Sequence, residues 1–137
     1  TQEAQAILRH IQTSAGSRNA GGPLVYLSET PEGSIFYQDT TGGWTGVLSQ
    51  LRADTAILAA SARANVDGEP VQGSMAGFVA MQAKLLGARK VVLGHHDNWM
   101  PPITNGDFDT AHIRERLGRE CPGTEFIERG YLDPIVL

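Results

Sequence analysis

The stretch from Thr55 to Gly94 constrains the fold more than any other. "TAILAAS" (55–61) is a short apolar run suited to a strand covered on both faces. Ser74 is placed to N-cap "MAGFVAMQAKLL" (75–86), in which Met75, Phe78, Val79, Leu85 and Leu86 line an apolar side. Gly87 stands where helices commonly stop, and "KVVLG" (90–94) follows as a second apolar run. The pattern predicts strand, helix and parallel strand joined by a right-handed crossover.

The remaining segments arrange themselves around that unit. "PLVYLSE" (23–29) and "SIFYQD" (34–39) are strand-like and flank "TPEG", a turn by composition, so they predict a hairpin. "WTGVLSQL" (44–51) puts Trp44, Val47, Leu48 and Leu51 on one helical face. Residues 12–22 and 62–73 read as polar loops. "TAHIRERLG" (110–118) predicts a helix capped by Asp107 or Asp109, and "TEFIERG" (124–130) a final short strand. Residues 3–10, "EAQAILRH", fit both periodicities, and local propensity favours helix. The expected class is α/β (α+β), a hairpin followed by strand–helix–strand units.

Bulk properties narrow the partners. The 137 residues suffice for a single domain, 1–137, with its own core. Net charge is −4 and no basic run occurs, so neither nucleic acid nor an anionic membrane surface is an expected partner. No apolar run approaches the roughly 18 residues of a membrane span. The single cysteine, Cys121, rules out an intrachain disulfide and a cysteine-built zinc cluster. The chain opens at Thr1 without methionine or a signal-peptide pattern, so one expectation is a processed product or a piece of something larger.

Chemistry is expected at strand ends. In "VVLGHHDNWMPP" (91–102), an apolar strand gives way to His95, His96 and Asp97. Asp39 similarly follows Ile35-Phe36-Tyr37. Residues just past the C-terminal ends of such strands share a crevice. Bland readings stand beside this one: Asp39 in "DTTGGW" suits a turn or a helix cap before Trp44, and the histidine pair suits a solvated loop. Imidazole and carboxylate are ligands for zinc or iron, and catalytic zinc needs a third protein ligand, for which His10 is the candidate. His112 lies mid-helix and reads as a surface residue. No G-x-S-x-G, Walker loop, H-E-x-x-H or G-x-G-x-x-G occurs.

The ordered set "AILRHIQTSAG…GGPLVYLSETPEGSIFYQDTTGGWTGVLSQLRADTAILAAS…LGARKVVLGHHDNWMPP" resembles the C-terminal half of metallo-β-lactamase-fold hydrolases. The branch it looks most like contains ascorbate-6-phosphate lactonase-like proteins. The resemblance covers about residues 4–102. It implies half of an αββα sandwich and a strand, not a helix, over residues 3–10. His10 matches the histidine that opens the second half of the metal site, Asp39 the metal-bridging aspartate and His95 the final histidine. Asp97 and Trp99 match the "H-x-D-x-[FW]" continuation, with His96 between them.

The H-x-H-x-D-H signature of that family's N-terminal half is absent from this sequence. The resemblance therefore implies that an N-terminal half or a second polypeptide completes the fold. It further implies a hydrolase with two divalent metal ions, zinc foremost and manganese or iron as alternatives. Their bridging hydroxide would attack an ester, lactone, amide or phosphodiester of a small-molecule substrate. Asp39 and His95 would be the catalytic ligands, with Asp97 and His96 supporting them from behind. Ser61, Arg63, Asn65 and Trp99 would line the pocket, with Arg63 facing an anionic group. Two other readings stay open: a metal-free binding or assembly module of the same fold, and a self-cleaved hydrolase whose nucleophile is Thr1.

Overall fold

A computed structural model of the chain describes Gln2, Gln5, Ala6, Arg9 and residues 24–39, 42–60, 74–94, 110–130 and 132–136. Strands β1 (Tyr26–Thr30) and β2 (Gly33–Gln38) form the expected antiparallel hairpin, with Tyr26 opposite Tyr37 and Thr30 opposite Gly33. Pro31 and Glu32 make the turn. Proline presets the backbone at the first corner position. The Thr30 hydroxyl accepts from the Glu32 N–H at 3.2 Å and donates to the Gly33 carbonyl at 3.0 Å. Gly33 has φ +151°, and a Cβ there would lie 3.1 Å from Asp54 Oδ2, so glycine suits the position twice over.

From β2 onward the sheet is parallel. β3 (Thr55–Ala59), β4 (Lys90–Gly94) and β5 (Glu125–Ile127) follow, and the spatial order β1-β2-β3-β4-β5 repeats the chain order. Helix α1 (Thr45–Leu48) precedes β3, α2 (Met75–Leu86) connects β3 to β4, and α3 (Ala111–Glu120) precedes β5. Right-handed crossovers repeated in one direction return every helix to the same face of a sheet. The core has that form. Phe36, Ala56, Leu58, Val91 and Leu93, alternate residues of three strands, share one cluster with Leu48, Val79, Leu86, Ile113 and Leu117 of the three helices. Small side chains at Ala56, Ala60, Ala76, Ala80 and Ala83 fill the seam where α2 lies on the sheet. Full burial of a side chain such as Phe36 or Leu58 contributes about 1.5–3 kcal/mol.

The opposite face is treated differently. Ile35, Tyr37, Ile57, Val92 and Ile127 alternate with the core set; Val92 and Ile127 are buried, Ile35 and Ile57 half-buried, and Tyr37 exposed. Tyr26 stands beside Tyr37 with ring centroids 6.3 Å apart. All five residues of β1 are exposed.

Local chemistry explains the best-defined helix. The Ser74 hydroxyl accepts from the Gly77 N–H at 3.2 Å, and Gly87 closes α2 at φ 64° in the left-handed region. Three other elements depart from expectation. α1 is a single turn that ends at Leu48; Leu51 packs on the core from beyond it, while Trp44 and Val47 are exposed. α3 starts after Thr110, whose hydroxyl donates to Glu128 instead of capping the helix, and it runs on to Glu120. Asp107 and Asp109 lie outside the described residues. Near the N-terminus, Gln2, Gln5, Ala6 and Arg9 are helical. This corrects the strand that the resemblance implied for residues 3–10 and agrees with the propensity of "EAQAILRH".

Candidate functional site

The parallel register decides what meets at the C-terminal edge of the sheet. Gln38 pairs with Leu58, and Leu58 with Leu93. Asp39, the next residue after β2, is therefore level with Ala59 and Gly94, which pair with each other. Two strand spacings separate Asp39 from Gly94, about 10 Å across the ladder. The Ala60 N–H donates to the Gly94 carbonyl at 3.0 Å, so β3 and β4 stay together up to this edge. Asp39, Ala60 and Gly94 leave the sheet side by side. Their successors in the chain include Ser61 and His95.

Among the candidates from sequence, Asp39 is the one that falls within the described residues, and it is exposed. His10, His95, His96, Asp97, Trp99, Ser61, Arg63, Asn65 and Thr1 lie outside them. His112 is exposed on α3, as expected. Among the described residues, no group of three His, Cys, Asp or Glu is positioned to hold a metal ion.

Two neighbours of Asp39 escaped the sequence reading. One is Tyr37, two residues earlier in the chain. Hydrogen bonding with the Asp39 carboxylate, then desolvation and the charge of that carboxylate, hold the Tyr37 hydroxyl above its ordinary pKa. Gln38 is buried; its Nε2 donates to the Gly42 carbonyl, and its Oε1 has no hydrogen-bond partner among the described residues. The signal for Tyr37 was present in "SIFYQD": residues two apart on a strand share a face.

The opposite edge carries a second polar cluster of a different kind. Asp54 Oδ2 accepts from the Ser34 N–H at 2.8 Å and hydroxyl at 3.0 Å, and Arg89 Nη2 donates to Oδ1 at 2.6 Å. The Asp54 carbonyl accepts from the N–H groups of Arg89 and Lys90. These groups satisfy one another and tie β2, β3 and β4 at their starts, so the cluster serves the fold.

The described strands have no topological switch point, because their order never reverses. A ligand crevice of the kind doubly wound sheets form at such a reversal is not built into these described strands. No helix among the described residues is long and apolar enough to cross a membrane. No protein-family model and no curated protein matches the chain.

Proposed function

We propose that this chain is the C-terminal half of a metal-dependent hydrolase with a metallo-β-lactamase-type sandwich, completed by an N-terminal half or a second polypeptide. One observation carries the reading. The register levels Asp39 with Gly94, the residue before His95, at one edge of a sheet whose described helices all pack on one face. A carboxylate and imidazoles suit zinc, and they accept iron or manganese. A second layer against the other face would close the edge over Asp39.

In the assembled site, Asp39, His10 and His95 would hold the cations. Asp97 and His96 orient these ligands from behind. Ser61, Arg63, Asn65 and Trp99 line the pocket, and Arg63 binds an anionic group of a small-molecule substrate. When bound, such a metal would lower the pKa of water to near neutrality and so supply a nucleophile. The substrate class is an ester, lactone, amide or phosphodiester.

The test is metal analysis of the purified protein together with any polypeptide that travels with it, identified by intact mass under denaturing conditions. Two zinc, manganese or iron ions per assembled unit, lost in Asp39→Asn, is the expected result. An assembly that takes up no metal would end the reading. The exposed Tyr26 and Tyr37, on the face opposite α1, α2 and α3, favour a second reading, a metal-free assembly module. That reading predicts an association indifferent to chelators and to Asp39→Asn.

A further inference from the structure

We propose that Leu132 is a docking residue for a second copy of this chain, set against the exposed Tyr26 and Tyr37 of that copy's hairpin, with the reciprocal contact made about a two-fold axis. Leu132 has φ 66°, in the left-handed region, and it is 86% exposed. The turn that holds it is closed twice. The Asp133 N–H donates to the Gly130 carbonyl at 3.1 Å, and the Gly130 N–H donates to Asp133 Oδ2 at 2.9 Å. A Cβ on Gly130 would lie 2.9 Å from Asp133 Oδ2, so glycine there serves the close approach. Leu132 is third in this turn, where a positive φ calls for glycine or asparagine. A leucine in that conformation carries strain from its Cβ, and its exposure brings no burial to offset it. Strain held at an exposed apolar side chain points to a contact outside the chain.

The segment carrying Leu132 leaves β5 anchored beside α3, where Glu128 accepts from Arg114 Nε at 2.9 Å. The hairpin lies at the other end of the sheet, four strand spacings away, or about 19 Å. In one chain the leucine and the tyrosine pair therefore stand apart, and both stay exposed. Two copies related by a two-fold bring each Leu132 onto the other's tyrosines, in two equal contacts. Val136, also 86% exposed, extends the apolar surface of the same segment. The charges agree with this pairing. Arg129 is exposed ahead of Leu132, Glu29 and Glu32 are exposed on the hairpin, and Asp133 is engaged within its turn. Hairpin packed on hairpin would instead set the glutamates of the two copies against each other.

The experiment is sedimentation equilibrium of the purified chain in chelator, on the unaltered protein, Leu132→Asn, Tyr26→Arg and an equimolar mixture of the two variants. The unaltered chain is expected to dimerise. Each variant is expected to raise the dimer Kd at least about tenfold, the scale of one buried leucine. The mixture is expected to dimerise more tightly than either variant alone, because an intact Leu132 on one chain meets an intact Tyr26 on the other. Asparagine tolerates the left-handed conformation, so Leu132→Asn is expected to melt no lower than the unaltered chain at dilutions where both are single chains. A single species at chain mass for the unaltered protein would overturn the inference, as would an unchanged Kd in Leu132→Asn. A mixture no tighter than its components would overturn it as well. So would a lower melting temperature in Leu132→Asn, because the leucine would then be serving the fold. The inference is independent of the metal reading, which ion uptake decides.

Discussion

Asp54 gathers three side-chain and backbone donors onto one carboxylate at the start of β3: the Ser34 N–H, the Ser34 hydroxyl and Arg89. The Ser34 backbone bond acts most strongly, then its hydroxyl, then the Arg89 hydrogen bond, and together they hold Asp54 below the ordinary aspartate pKa. A carboxyl whose pKa is lower folded than unfolded stabilises the fold fully above the unfolded value, near 3.9. That contribution fades as pH falls from there through the folded value. Asp54→Asn is therefore expected to be less stable than the unaltered chain at pH 7, with the gap narrowing in acid. Urea unfolding at pH 7 and near pH 3 checks this, and an equal gap at both would refute it. Gly87 makes a different residue-scale prediction. A Cβ at Gly87 would meet Arg52 Cδ at an ordinary 3.7 Å, so the cost of Gly87→Ala is backbone strain at φ +64°. That strain is about 1–2 kcal/mol, readable in the urea midpoint.

At the scale of elements, α2 was legible because its limits are set by groups within a few residues. The Ser74 hydroxyl meets the Gly77 N–H, and Gly87 adopts the left-handed conformation that ends the helix. Ser74→Ala is expected to cost about 1 kcal/mol by thermal or urea unfolding. Gln82 was not legible. It sits inside α2 with no exposure, and neither its Nε2 nor its Oε1 has a hydrogen-bond partner among the described residues. An unsatisfied buried amide costs about 1–3 kcal/mol, so Gln82→Met, close in shape, is expected to raise the melting temperature. A lower melting temperature would mean the amide has a stabilising role. α1 shows the limit of periodicity. Trp44, Val47, Leu48 and Leu51 match a helical stripe, yet the helix spans only Thr45–Leu48 and only Leu48 is buried within it. Beyond that turn, packing of Leu51 on the core takes over from backbone periodicity. Over residues 3–10, propensity outweighed the likeness in order and spacing to another family, and the described positions are helical.

The described sheet is asymmetric. Among the described residues, α1, α2 and α3 pack on one face of the five-stranded sheet, and on the other Tyr26 is 58% and Tyr37 37% exposed. Exposed apolar patches of this kind mark interaction surfaces. If a complementary layer covers this face, the purified protein sediments as an assembly larger than one chain, and Tyr26→Arg shifts it toward the single chain. Sedimentation velocity checks this, and a single species at chain mass for the unaltered protein counts against it.

By itself the sequence determined the hairpin at Pro31-Glu32, the capped α2, the apolar strands β3 and β4 and the order of elements. Each depends on side chains that act on backbone nearby. Only the tertiary structure decided that strand order follows chain order, that Asp39 is level with Gly94 and that Gln82 is buried without a hydrogen-bond partner among the described residues. Register and burial depend on contacts between residues far apart in the chain. A one-residue slip of β2 would turn Tyr37 toward the helices and Gln38 away from them, and only the packed core rules that slip out.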